Sequence, residues 1–285
     1  MRRVVSTLHV VAMAAAVPAA AESVPAVYAL KSYAQGPGQI VRIESFTDTR
    51  GGRMTVRRGA TEDRGRMGLR RERHYERRIL NDGTNVTLEY KVLKDEVGTS
   101  MKLDGPAASQ VTESALTGKV ILGFRDSGGR WRLFLKRRTA SNRQAAQLAE
   151  LEAYENRSWF LDRPVKVGDT WTIDPAFVRH LSERDVDFAE VAATATLKDV
   201  LVLDGERTAV IGFNIRSQGA RRNPLAHRSS GVMVSLTGSL HVALDTMLDK
   251  KLFLEGSFTT LAREGDISTI VELPFKTEVV KTIVR

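Results

Sequence analysis

The sequence predicts a mainly β fold of the α+β class, built on a long antiparallel sheet that curves or closes partly into a half-open barrel, with one covering helix. Three observations favour this fold. Apolar and polar residues alternate over many strand-length segments, short turns containing Gly and Asp separate neighbouring segments, and a single long segment has helical spacing. Short turns between neighbouring strands require those strands to pair antiparallel.

The first strand-rich half is predicted to cover residues 39–138. A strand is expected over residues 39–47, and a clear alternation runs from Val86 to Val92 directly after the turn residues Asn81-Asp82-Gly83. Residues 98–112 contain Gly105-Pro106 and few apolar side chains, so we expect a loop there.

A helix is predicted over residues 141–157, because Leu148, Leu151 and Tyr154 recur at helical spacing and Ser141 can cap the first turn. A shorter helix is expected over residues 175–181, where Pro175 would occupy the first helical position. Because the long helix is the main one predicted, we expect it to cover the apolar face of the curved sheet.

Residues 158–170 form a predicted hinge between the helix and the second half of the chain. Pro164 disfavours helical angles at the residue before it, Gly168-Asp169 supplies a turn, and Trp171 restarts the apolar alternation. We therefore expect residues 39–285 to form a single β-rich domain, whose second half covers residues 170–285.

The second half contains an alternation that continues for 13 residues without a break. A strand of that length would extend about 44 Å, and strands this long usually coil or curl. Gly238 in the middle of the segment suits a bend, and Pro274 predicts an edge or a bulge in the last strand. The apolar side of the long strand carries Val232, Val234, Leu236, Leu240, Val242 and Leu244.

The N-terminal segment is typical of a secretory signal peptide. Arg2 and Arg3 precede an apolar stretch, and cleavage is expected near Ala21. The sequence therefore predicts a signal peptide over residues 1–21, a leader over residues 22–38, and a protein that is periplasmic or secreted. The chain has no cysteine, which excludes disulfides and thiol catalysis.

No local motif of a catalytic, nucleotide or metal site occurs in the sequence. The four histidines that follow the signal peptide lack zinc-ligand spacing, and there is neither a nucleophile elbow nor a phosphate-binding loop. We therefore expect no cofactor, no metal and no catalytic residue. A hydrolase whose site is assembled from distant residues remains open. The histidines in question are His74, His180, His227 and His241.

The basic stretch over residues 64–78 is predicted to be a charged strand. The simplest interpretation is a strand face that is exposed to solvent and has no binding role. The alternative is a surface that binds an anionic envelope component such as lipid head groups. Only His74 and Tyr75 could stack on bases, so we expect no nucleic-acid partner. The candidates for the anionic surface are Arg70, Arg71, Arg77 and Arg78.

The sequence of the hinge is similar to a segment found in other proteins. Its segment Pro164-Val165-Lys166-Val167-Gly168-Asp169-Thr170-Trp171, with Leu161 before it and Asp204-Gly205 after it, resembles a group of uncharacterised bacterial secreted β-rich proteins. The expected architecture is also similar to that of periplasmic lipoprotein carriers. That similarity implies a curved sheet that holds acyl chains beneath a helix, and a fold alone does not decide function.

The leading hypothesis is a non-catalytic exported protein that binds an apolar or lipidic ligand, or an envelope partner. The same apolar side chains would equally fill a dry core. The alternatives are an envelope scaffold with a basic binding face and a hydrolase with a non-local site. The expected ligand-lining residues are Ile211, Phe213, Val234, Leu236, Leu240 and Val242.

Overall fold

A computed structural model of the protein describes residues 26–81, 86–103, 105–157, 160–175, 178, 186–221 and 229–284. The predicted signal peptide and the turn at residues 82–83 lie outside the described residues, as does most of the short helix predicted over residues 175–181. The strands are β1 (Val27–Tyr28), β2 (Ile40–Asp48), β3 (Gly52–Arg58), β4 (Thr61–Asn81), β5 (Val86–Leu103), β6 (Ala108–Glu113), β7 (Val120–Arg125), β8 (Trp131–Leu135), β9 (Val165–Lys166), β10 (Thr170–Thr172), β11 (Val186–Leu203), β12 (Glu206–Arg221), β13 (Ser229–Ala243), β14 (Asp249–Glu264) and β15 (Ile267–Val284), and the helix is α1 (Asn142–Glu155).

The strands form one large, curved antiparallel sheet that does not close into a barrel, which confirms the predicted fold class. Its order is β10-β11-β12-β13-β14-β15-β2-β4-β5-β7-β8, with β3 between β15 and β4 and with β6 beside β5. A separate two-stranded sheet joins β1 to β9, so the leader pairs with the hinge. No helix in the described ranges is long and apolar enough to cross a membrane.

Strand β15 lies in the middle of the sheet, not at its edge. It pairs with β14 along its length, and on its other side it pairs first with β3 and then with β2. Pro274, which predicted an edge or a bulge, lies between those two pairings, so a residue without an N–H falls where the neighbouring strand is interrupted. At that interruption the hydroxyl of Thr49 accepts a hydrogen bond from the Leu69 amide, at 2.8 Å.

The alternation predicted for β13 is present. The side chains of Val232, Val234, Leu236, Leu240 and Val242 are all buried, and the intervening residues face the other side of the sheet. The bend at the middle of the strand requires glycine, because a Cβ on Gly238 would lie 1.9 Å from the carbonyl oxygen of Phe253 on β14.

Helix α1 begins with the predicted cap. Ser141 accepts a hydrogen bond from the Gln144 amide, and the Gln144 side chain accepts one from the Ser141 amide, which completes a capping box. The helix lies along β8, the last strand of the sheet. Asn156 accepts from the Trp131 amide at 2.7 Å and donates to its carbonyl at 2.9 Å, so side chains occupy an edge that would otherwise invite another strand.

The buried apolar side chains form two clusters on one face of the sheet, here called the inner face. The first cluster joins β11–β14 to β10, the hinge and the leader, through Trp171, Val165 and Leu30 respectively. The second joins β2, β4, β5, β7 and β8 to α1, through Leu148. The helix therefore covers the first half of the sheet, and the hinge covers the second.

The loop predicted over residues 98–112 is wrong. Strand β5 continues to Leu103 and β6 follows at Ala108, and the two pair from Glu96 to Met101. These strands carry few apolar residues because both lie near a sheet edge, where backbone pairing can stabilise a strand without a buried side.

Candidate functional site

The six residues expected to line a ligand site all lie in the first cluster. Their side chains are at most 5% exposed, and they pack beneath Trp171, Val165 and Leu30. The residues in question are Ile211, Phe213, Val234, Leu236, Leu240 and Val242. In this structure they form packed core, and a ligand that touches them would have to displace the hinge or the leader.

The same inner face continues beyond the core as a half-exposed apolar surface. Val234, in the core, pairs directly with Phe258 on β14, and Phe258 pairs with Leu273 on β15. Directly paired residues of antiparallel strands point to the same face of the sheet, so all three share the inner face. We call this surface the apolar shelf; it consists of Met54, Met67, Phe258, Val271, Leu273 and Phe275, each half-buried.

Glycines lie below the large side chains of the apolar shelf. A Cβ on Gly52 would lie 2.4 Å from Cδ2 of Leu273, so Leu273 leans over the glycine on β3. Phe275 pairs with Gly256, and its ring meets the ring of Phe258 edge-on with 4.9 Å between the centroids. The large apolar side chains of the shelf therefore lie over glycine backbone on the neighbouring strands.

The four arginines predicted to form an anionic-binding surface do not share one face. Arg71 and Arg77 point to the inner face, whereas Arg70 and Arg78 point to the outer one. Only Arg70 is exposed as a whole residue. The strand prediction for the basic stretch is confirmed, since it lies within β4.

Three of these arginines bind buried carboxylates. Nε and Nη2 of Arg71 donate to the two oxygens of Asp95, at 2.9 and 3.0 Å. Arg78 lies 2.6 Å from Glu89, and Arg77 lies 2.9 Å from Glu155 on α1. Arginine suits such pairs because its planar fork of donors matches a carboxylate. Three of the four predicted arginines are therefore paired with carboxylates, two on the inner face and one on the outer face.

A second polar feature lies where the end of α1 meets the sheet. The Glu155 carboxylate receives a hydrogen bond from the Tyr90 hydroxyl as well as the Arg77 contact. Burial alone would raise the pKa of Glu155, but the charge of Arg77 and the Tyr90 hydroxyl outweigh it and hold the pKa below its usual value. Burial and the neighbouring Glu155 raise the pKa of Tyr90 well above its usual value, so Tyr90 remains a hydroxyl donor.

Asp249 is the second carboxylate of this region. Arg157 lies 3.0 Å from it and Lys281 lies 2.7 Å from it, and all three side chains are at most 14% exposed. Burial would raise the pKa of Asp249, but Lys281 and Arg157 lower it below its usual value. The ring of Tyr154 stacks on the Arg157 guanidinium, with 3.4 Å from the ring centroid to Cζ.

The histidines do not assemble a site in the part of the chain that the structure describes. His74 contacts Glu72 at 2.9 Å on the outer face. Burial and Lys251 lower the pKa of His241. No group of three potential metal ligands converges among the described residues. His180 and His227 lie outside those residues.

Sequence reasoning missed the apolar shelf and the buried charges for different reasons. The shelf residues belong to strands of ordinary alternation, and only the register of β3, β4, β14 and β15 shows that they meet. The sequence contains one local indication that Glu155 is buried: it lies next to Tyr154 at the end of an amphipathic helix. Its partner Arg77 is 78 positions away along the chain.

Comparisons with known proteins give no family for this chain. No protein-family model matches it, and no curated protein matches it. Among solved structures, it is similar to a DUF1329 family protein from Desulfovibrio piger at 9% identity and a TM-score of 0.12, with 81% of this chain and 83% of that chain covered. It is also similar to the binding domain of botulinum neurotoxin DC in complex with SialylT, at 8% identity and a TM-score of 0.16, with 84% and 78% covered. Likeness at these scores carries no inference about this chain.

Proposed function

We propose that the protein is a non-catalytic binding protein that holds an apolar ligand, such as an acyl chain, on the apolar shelf. The observation that supports this proposal is the continuity of the shelf with the buried core: Val234, Phe258 and Leu273 are direct neighbours, and only the first is fully buried. A ligand on the shelf would bury the remaining apolar surface of the inner face, at about 25 cal/mol per Å².

The chemistry of the shelf suits a flexible apolar ligand. Met54 and Met67 belong to it, and Met67 pairs with Met101, which is 51% exposed. Methionine side chains adapt to irregular apolar partners because they are unbranched and polarizable. The shelf spans β3, β4, β14 and β15, so it offers a chain-like ligand an extended apolar surface.

Binding to the shelf can be tested with a fluorescent fatty acid titrated into the purified protein. Leu273→Asp places a carboxylate in the middle of the shelf and is expected to weaken binding by about tenfold or more. Leu261→Asp is the matched control, because Leu261 is exposed on the outer face of the neighbouring strand. Equal affinity of both variants and the wild type would refute the proposal.

A second experiment identifies a natural ligand. The protein is purified from its native compartment, extracted with organic solvent, and the extract is analysed by mass spectrometry. The proposal predicts a lipid or other apolar molecule in the wild-type extract, and its loss from the Leu273→Asp extract. An extract without such a molecule, together with no binding of the fatty acid probe, rules out the carrier function.

We also propose that the protein acts outside the cytoplasm, as the N-terminal pattern of Arg2, Arg3 and the following apolar stretch supports. N-terminal sequencing of the protein from an envelope fraction is expected to begin at Glu22. A protein recovered only from the cytoplasm with its first residues intact would contradict this.

A further inference from the structure

A cavity of about 110 Å³ lies at the junction of the two apolar clusters, apart from the apolar shelf. The end of α1, the hinge, the leader and the turn before β14 all contribute to its wall, and β2, β4 and β15 form its base. Ser32 and Arg125 are exposed at its rim, so the cavity reaches solvent. This volume holds several water molecules or one small organic ion.

Cations outnumber carboxylates around the cavity. Arg77, Arg157 and Lys281 have side chains at most 12% exposed, and each contacts one of the two carboxylates, Glu155 or Asp249. Arg125 adds a fourth cation at the rim. Among the described residues that line the cavity, the buried groups therefore carry one excess positive charge.

Among the described residues, this excess of cations over carboxylates favours an anionic ligand over a cationic one. The ring of Tyr154 offsets part of it, since its centroid is 3.4 Å from the Arg157 guanidinium and 5.2 Å from the Lys281 ammonium. Cation–π contacts of this kind contribute less than a full negative charge would. The described lining therefore still favours an anion.

The apolar residues of the cavity wall favour an anion that has an apolar part. Trp131, Phe160 and Met247 line the same cavity beside the cations. We propose that this cavity binds a short-chain monocarboxylate, with its carboxylate among Arg77, Arg157 and Lys281 and its alkyl part against those three apolar side chains. Arginine and lysine together would hold the carboxylate by charge-assisted hydrogen bonds.

Isothermal titration of the full chain with acetate, propionate and butyrate tests the proposal, with methylammonium as the probe of opposite charge. We expect saturable binding of the carboxylates and none of methylammonium. Lys281→Met is expected to weaken propionate binding by about tenfold. Lys276→Met on the same strand is the matched control, because Lys276 is exposed and points to the outer face, and it should bind like the wild type.

A second variant is needed because Lys281→Met could lose binding by misfolding. Arg125→Gln changes an exposed rim residue and is expected to weaken propionate binding severalfold, while loss of its contact with the Trp131 ring lowers the urea unfolding midpoint only slightly. The proposal is overturned if the wild type shows no saturable binding of any carboxylate up to about 10 mM. It is also overturned if Lys281→Met and Arg125→Gln both bind like the wild type.

Discussion

Arg71 on β4 and Asp95 on β5 form a two-pronged ion pair on the inner face, and the Asp95 side chain is only 3% exposed. The Tyr75 hydroxyl donates to the same carboxylate at 3.2 Å, and Arg73 lies 3.6 Å from it. A single buried acid therefore organises three side chains of the basic strand. Without it, Arg71 and Arg73 would lose their closest carboxylate and keep the more distant Glu150 on α1, at 4.0 and 3.9 Å.

Replacing Asp95 by asparagine is expected to lower the free energy of unfolding by about 2 kcal/mol, because it removes the buried counter-charge of the two arginines and leaves them the more distant Glu150. Urea denaturation followed by circular dichroism measures the change. Glu96→Gln is the control, since Glu96 is the exposed neighbour that pairs with Lys94 at 3.3 Å, and it should shift stability by less than about 0.5 kcal/mol. Equal effects of the two substitutions would contradict the role assigned to Asp95.

The two carboxylates at the end of α1 make stability depend on pH. Arg77 lowers the pKa of Glu155 and Lys281 lowers the pKa of Asp249, each against the opposing effect of burial. A carboxyl with a lower pKa in the folded state contributes stability above its unfolded pKa, and that stability is lost as the pH falls. The free energy of unfolding should therefore decrease from about pH 5 downward.

Unfolding curves at several pH values between 7 and 3 check this dependence. Glu155→Gln should flatten the acid limb of the plot, because one of the two linked groups is gone. Glu255→Gln, at an exposed position on β14, serves as the control and should leave the limb unchanged. Parallel pH curves for the wild type and Glu155→Gln would exclude the linkage.

The bend in β13 is expected to reject any side chain at Gly238. An alanine there would place its Cβ 1.9 Å from the Phe253 carbonyl, so Gly238→Ala should cost about 2–3 kcal/mol of stability. Gly231→Ala is a matched control in the same strand, because nothing lies within 4 Å of the added carbon. Thermal unfolding of the two variants should separate clearly, and similar melting temperatures would show that the strand does not need this glycine.

Asn156 is expected to stabilise the edge strand. Asn156→Ala removes both hydrogen bonds to the backbone of Trp131 and leaves those groups without their partner, at a cost of about 1–3 kcal/mol. Asn142→Ala, at the exposed start of the same helix, should be close to neutral. Size-exclusion chromatography adds a second measurement, because the uncovered strand should also promote self-association; a monomeric, fully stable variant would contradict this.

The parts of the fold that depend on local pattern are predicted from the sequence. The alternation in β13 and the spacing and cap of α1 are confirmed within a few residues, because a half-buried strand and an amphipathic helix each follow from their own side chains. The loop prediction between Gly98 and Thr112 failed because β5 and β6 are stabilised by backbone pairing, which leaves little trace in composition.

The candidate sites depend on register and on distant partners, so sequence reasoning could reach them only in part. Arg71 and Arg77 were predicted to be surface residues because they belong to a run of like charges. In the structure each forms an ion pair with a buried carboxylate, Arg71 with Asp95 and Arg77 with Glu155. The ligand-lining role of the six core residues stays a prediction, and so does export. The apolar shelf could not be predicted, because its residues meet only through the order and register of the strands in the sheet.

The central position of β15 has a consequence for how the molecule is assembled. The hydroxyls of Thr47 and Thr277 meet across the β2–β15 ladder although they are 230 positions apart in the chain. During synthesis, β2 therefore leaves the ribosome long before the strand that pairs with it exists. Contacts of such separation slow folding because a large loop must close first. Until then the N-terminal half carries an open strand edge, and such edges favour pairing with other chains.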